Sequence, residues 1–197
     1  MSKNSFAYVD VHIEGIAPMM MHNGGLADPT NYWAKEIKKY SSKRKKTDDD
    51  HWKLKELEFK GGLYFDDNTG PYIPDTWIEK NIRDGAAEFK QGKLILSGVV
   101  CTEEKIKLIY DGPEDPDEMF KDARFVDTRG VVVQRQRIMR TRPKFPAWEA
   151  KFQLQILKEV ISPNDVERAL DKAGLLKGLG DYRPKYGRYV VKGFQEK

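Results

Sequence analysis

At 197 residues, with 39% hydrophobic and 34% charged positions, the sequence describes a water-facing chain able to bury one sizeable core. Its 35 Lys and Arg against 31 Asp and Glu give a formal charge of +4, so any functional reading from charge rests on where the cations are concentrated. No apolar run approaches the roughly 20 residues of a membrane span. The opening MSKNSFAYVDVHIEG lacks the apolar stretch of a secretory leader, and one cysteine with three histidines excludes an internal disulfide and a structural zinc site, so a reducing, cytoplasmic setting is expected.

In chain order, FAYVDVHIEG alternates Tyr8, Asp10 and His12 against Val9, Val11 and Ile13, the pattern of a half-buried strand. Residues 22–62 read as a basic helical insertion: a helix is expected from Asp28, with Pro29 at its first position. The chain then runs through KRKK into DDD, which reads as a solvated loop. GGLYFDDNTGPYIP reads as a hairpin turning at DDNTG. Asp75 is placed to cap a helix whose apolar face is Ile78, Ile82, Ala86 and Phe89, with Gly92 near its end.

KLILSGVV and KIKLIY are strand-like, and residues 111–119 form an acidic loop. GVVVQRQRIMRTR reads as one strand entering the turn PKFP. AWEAKFQLQIL is a two-sided strand that sends Trp148, Ala150, Phe152, Leu154 and Ile156 inward. SPNDVERALDKAG carries a helix from its cap Ser162 to a stop at Gly174, and GRYVVKGF closes the chain with a strand. Stripped of insertions the order is βαββαβ. The expected fold is α+β, a single ferredoxin-like domain over 1–197 with a long insertion after the first strand and extra hairpins.

Three stretches carry a family resemblance. PYIPDTWIEKNIRDGA resembles the Ile-Pro-Gly-Ser-Ser-(aliphatic)-Lys-Gly-x-(aliphatic)-Arg segment of the RAMP superfamily, the repeat-associated proteins of CRISPR effector backbones. Ile73, Pro74, Ile78, Ile82 and Arg83 fall at matching places, Asp75 stands where that family has Gly, and Glu79 and Lys80 replace its Lys-Gly pair. GLGDYRPKYGRYVV resembles the family's C-terminal glycine-rich loop, and HIEGIAPMMMHN resembles its first strand and exit. The resemblance implies an RRM-like core, binding of single-stranded RNA along its backbone, and, in some members, cleavage. It suits a stand-alone or viral member as well as a CRISPR effector subunit.

The residues themselves point the same way. Arg129, Arg135, Arg137, Arg140, Arg142 and Lys144 fall in sixteen positions that hold no acid. On one strand, Arg135 and Arg137 would share one face and Arg140 and Arg142 the other, with neighbours on a face roughly 6.6 Å apart. That spacing suits successive phosphates of a stretched single strand. Phe145, Trp148, Tyr182 and Tyr186 are candidate stacking rings, although Trp148 lies on the apolar face and reads more as core.

In the C-terminal loop, Gly178, Gly180 and Gly187 permit close backbone approach, with amides offered to phosphate and Arg183, Lys185 and Arg188 supplying charge. The alternative is an ordinary glycine turn. Lys43, Arg44, Lys45 and Lys46 form a third basic patch. The arginines have a bland reading too, as partners of the acidic 111–119 stretch.

The function expected is non-enzymatic, largely sequence-independent binding of single-stranded DNA or RNA, with self-association along the strand and neither cofactor nor metal. Two alternatives stand beside it. One is a nuclease using His12 or His22, or Asp48–His51 with a divalent ion. The other is a protein-interaction or inhibitor module. Nothing in the sequence positions a partner for His12 or His22, Cys101 reads as buried and inert, and Met19–Met21 as core filling.

Overall fold

A computed structural model describes residues 5–133 and 135–197, with Val133 described by its backbone alone. Residues 1–4 of the opening segment, and Gln134 within the expected GVVVQRQRIMRTR strand, lie outside the described residues.

The chain opens with β1 (Phe6–Gly15), where Val9, Val11 and Ile13 are buried and Tyr8 and Asp10 face solvent, as the alternation requires. After β2 (Met19–Met20) and a 3-10 turn at Gly24–Ala27 come α1 (Tyr32–Ser41) and α2 (Asp48–Gly62), the two helices of the 22–62 insertion. The helix expected from Asp28 starts later. Asn31 caps α1 by accepting from the Trp33 and Ala34 amides, while the Asp28 carboxylate is occupied by Thr30.

The DDD segment is not a loop but the first turn of α2. Thr47 Oγ1 accepts from the Asp50 amide at 3.2 Å, and Asp50 Oδ2 accepts from the Thr47 amide at 3.1 Å. This capping box, with three acids at the positive end of the helix dipole, outweighs the mutual repulsion of the adjacent carboxylates.

β3 (Phe65–Asp66) and β4 (Gly70–Pro74) make the expected hairpin. In α3 (Asp75–Ala86), Pro74 occupies the cap position and Asp75 is the first helical residue, accepting from the Thr76 amide. KLILSG, read as strand, is instead α4 (Gly92–Gly98), a single short helix packed on α3 that leaves Leu94 and Leu96 exposed. Only β5 (Val99–Cys101) is extended. Next come β6 (Lys105–Ile109) and α5 (Pro116–Lys121), the latter turning part of the acidic loop into a helix capped by Asp115.

β7 (Val126–Val133) and β8 (Gln136–Phe145) replace the single expected strand with an antiparallel hairpin. The chain reverses beside Arg135, whose φ of 66° is left-handed. β9 (Glu149–Leu157) buries Ala150, Phe152, Leu154 and Ile156 as expected. α6 (Pro163–Leu176), capped by Ser162, runs past Gly174, which lies inside it against Tyr189. β10 (Tyr189–Glu196) closes the chain.

The larger sheet has the order β10-β1-β9-β6-β4-β3, with β5 also paired to β9, every pairing antiparallel. α3 and α6 pack side by side over its apolar face. They approach closely at Gly85, where a Cβ would lie 2.1 Å from the Ala169 carbonyl oxygen. The opposite face carries Tyr8, Asp10 and His12 of β1 opposite Gln155, Gln153 and Lys151 of β9. A smaller sheet, β2-β8-β7, stands beside the larger one. The architecture is α+β with a mostly antiparallel sheet and, among the described residues, six α-helices.

Candidate nucleic-acid interface

Hydrogen bonding through β2 brings the two basic segments of the sequence together. On one edge Met19 and Met20 pair with Phe145 and Lys144 of β8. On the other side the Met20 carbonyl accepts from the Asp181 amide and the Pro18 carbonyl from the Gly187 amide, both at 2.8 Å. The base of the β7–β8 hairpin and the glycine loop therefore meet across one short strand.

Much of the charge at this junction is spent on holding it. Arg129 and Arg140 sit directly opposite each other in the hairpin, an unfavourable like-charge pair unless each is neutralised. Arg129 pairs with Asp127 and donates to the Tyr186 hydroxyl at 2.8 Å, its guanidinium 4.9 Å from the ring centroids of both Tyr182 and Tyr186. The Asp127 carboxylate raises the Arg129 pKa well above its ordinary value. Arg140 pairs with Glu58 of α2 at 2.5 Å, and the same carboxylate accepts from the Thr141 amide at 2.9 Å, capping the bare edge of β8. Arg142, only 8% exposed, donates through Nε to Asp181 at 2.6 Å, and its Nη1 is buried without a hydrogen-bond partner.

The arginines thus do have intramolecular partners, but not the acidic 111–119 stretch. There Asp117 pairs with Lys60 and Glu114 with Lys107.

The glycine loop corrects a second expectation. Gly178, Gly180 and Gly187 have φ of 70°, 78° and 73°, as their identity suggested. Their freedom serves close internal packing, and the Gly178 and Gly187 amides are spent within the fold. The Gly178 amide is donated to Ala173, Leu179 to Gly187, Asp181 to Met20 and Gly187 to Pro18. Behind the loop, buried Asn81 of α3 donates to the Gly178 carbonyl at 2.8 Å and accepts from the Tyr189 hydroxyl at 2.7 Å. Burial pushes the Tyr189 phenol pKa up strongly. Neither Asn81 nor Tyr189 stood out in the sequence; an Asn inside the apolar stripe of α3 was the available signal.

Other cations remain unspent. Among the described residues Arg135, Arg137, Lys144, Lys185 and Arg188 form no ion pair, and all but Lys144 are exposed. Arg188 Nε donates to the Pro184 carbonyl, and Arg183 stands 4.0 Å from Asp84. Arg135 lies in the turn and not on a strand face with Arg137, whereas Arg140 and Arg142 do share a face of β8, opposite that of Arg137. Val132 and Met139 near the tip are 69% and 58% exposed, so the distal hairpin stands clear of the body.

Of the candidate stacking rings, Phe145 and Trp148 are core, the Trp148 Nε1 donating to the Ala17 carbonyl; Tyr182 is exposed and Tyr186 half-buried. In the third patch Lys43 pairs with Asp50 at 2.6 Å, while Arg44, Lys45 and Lys46 form no ion pair among the described residues. Met19, Met20 and Met21 are fully buried.

The histidines are dispersed. His12 contacts Glu149 at 2.7 Å on the open sheet face, and exposed His51 lies on α2. His22 borders the junction: though exposed at one side, crowding of its ring and the Arg142 and Arg140 charges lower its pKa against an opposing pull from Asp181. Among the described residues no three His, Cys, Asp or Glu side chains are grouped to hold a metal ion, and no helix is long and apolar enough to cross a membrane.

No family model and no curated protein matches the chain. Among solved structures, it is similar to a chain in the cryo-EM structure of the Type III-B Cmr-beta bound to cognate target RNA, with a TM-score of 0.50 and 15% sequence identity. The match covers 98% of the present chain and 61% of that one, so the chain spans about three-fifths of its neighbour's length. At that identity the likeness is one of fold.

Proposed function

We propose that this chain is a single-stranded nucleic-acid-binding protein that holds the sugar-phosphate backbone with little regard to sequence, through the distal β7–β8 hairpin and the surface of the glycine loop. The observation that carries the reading is the set of cations left without carboxylate partners, Arg135, Arg137, Lys144, Lys185 and Arg188, flanking a junction whose other arginines are already neutralised. Charge reads phosphates and not base edges, so affinity with weak sequence preference follows. The exposed Tyr182 ring offers a stacking surface.

Fold supports the reading in two ways. The strand order β10-β1-β9-β5, with α3 and α6 on one face, is the order that a ferredoxin-like βαββαβ core would give. The neighbour belongs to a Cmr-beta structure bound to cognate target RNA, in keeping with the RAMP-like segments. A chain of this size covers few nucleotides, and we infer that copies assemble side by side along a strand. Binding, not cleavage, is the activity assigned.

The test is a titration of fluorescent single-stranded DNA and RNA at rising salt. Five phosphate contacts give a slope of about −3.5 in log K against log salt, or a loss of about 100-fold between about 50 and 200 mM. An affinity unchanged over that range overturns the proposal. Cooperative saturation of long oligonucleotides supports side-by-side assembly, and independent binding of single molecules removes it.

A further inference from the structure

The 22–62 insertion does more than cover the core. Between α1, the 3-10 turn at Gly24–Ala27 and β8 lies a cleft of about 430 Å³, within the roughly 300–1,000 Å³ range of small-ligand sites. Leu26, Ala27, Ala34 and Ile37 give it an apolar lining. Lys38, Arg140 and His22 bring positive or protonatable groups to the same lining, and no Asp or Glu belongs to it.

Of these, exposed Lys38 has no ion pair among the described residues. Arg140 commits Nη1 to Glu58, which fixes the guanidinium in place and leaves its other nitrogens for a second acceptor. An aliphatic surface beside Lys38 and the remaining donors of the Glu58-bound Arg140 matches a ligand that is apolar at one end and anionic at the other.

We infer that this cleft is a mononucleotide subsite, in which one base of the bound strand lies against Leu26, Ala34 and Ile37 while its phosphate meets Lys38 and Arg140. The inference rests on the proposed strand binding and adds to it a location. Arg140 belongs both to the cleft and to β8, the strand that carries Arg137 on its other face, so the cleft lies on the same hairpin as the proposed strand grip. A free anion alone would leave the aliphatic surface unused, and a purely apolar ligand would make no use of Lys38 or the remaining Arg140 donors.

The full chain is titrated with AMP, adenosine and inorganic phosphate, and separately with a single-stranded oligonucleotide carrying 2-aminopurine. AMP should bind more tightly than either of its halves. 2-Aminopurine fluorescence should rise on binding, because the lining contains no Trp, Tyr or Phe ring to quench an unstacked base.

Ala34→Trp, which fills the cleft without changing charge, should weaken AMP by about tenfold or more, the scale of losing one base contact, and abolish the fluorescence rise. Lys38→Glu, at an exposed side chain that the fold does not need, should weaken AMP and lower the oligonucleotide salt slope by about one unit; it keeps the test decisive should Ala34→Trp misfold. AMP binding no tighter than phosphate, or equal in wild type and both variants, overturns the subsite. If the wild-type chain binds oligonucleotide while these variants behave as wild type, the subsite alone falls. If the wild-type chain binds no oligonucleotide, the proposed function falls with it.

Discussion

Gly187 has φ of 73°, and a Cβ there would lie 1.7 Å from the Leu179 carbonyl oxygen, a backbone atom unable to turn aside. Gly187→Ala therefore combines a left-handed penalty of about 1–2 kcal/mol with a steric clash, and urea unfolding should show a loss of at least that size. His22 supplies a pH effect. Its folded pKa is below the ordinary value near 6.5, so the unfolded chain binds the proton more readily. Its contribution to stability is complete above that value and falls as pH drops below it, toward the folded pKa. Denaturation midpoints between about pH 7.5 and 5.5 should decline with falling pH, and His22→Gln should flatten that part of the profile.

At the scale of elements, the β7–β8 hairpin is divided in function along its length. Its proximal half is fastened by Asp127, Glu58 and Asp181 to Arg129, Arg140 and Arg142, and Thr128 and Thr141 meet across it with hydroxyls 3.0 Å apart. Among its described residues the distal half makes no such ties, and it exposes Val132, Arg137 and Met139. Substitutions should separate accordingly. Arg135→Ala and Arg137→Ala are expected to change stability by less than about 0.5 kcal/mol while each lowers the salt slope of strand binding by about 0.7. Normal binding by the double variant would show that the tip does not touch the strand. Much of the fold was legible at this scale: the β1 alternation, the Ser162 cap of α6 and the two-sided β9 each declare themselves within a few residues. The misread elements were ones where local signals competed. The apolar KLIL suits strand or helix equally, and three adjacent acids suggest repulsion until Thr47 turns them into a helix start.

For the whole molecule, Cys101 is a reporter of global opening. Buried where β5 meets β9, its thiol is pushed up to about 11 by burial. Reaction with a thiol reagent near pH 8 should be very slow in the folded protein and should become rapid in step with unfolding by denaturant. Fast labelling without denaturant would mean that the β5 edge opens independently of the rest.

The sequence alone determined the α+β class, the places of β1, α3, β9, α6 and β10, the burial of the methionines, and the two segments in which cations gather. These follow from periodicity and composition over neighbouring residues. Which cations remain available was decided only in three dimensions. Glu58 reaches Arg140 across 82 positions and Asp181 reaches Arg142 across 39, and no local pattern announces either pair. A guanidinium is free or spent according to whether folding brings it a carboxylate, so the same run of arginines yields clamps at the base of the hairpin and unpaired charge at its tip.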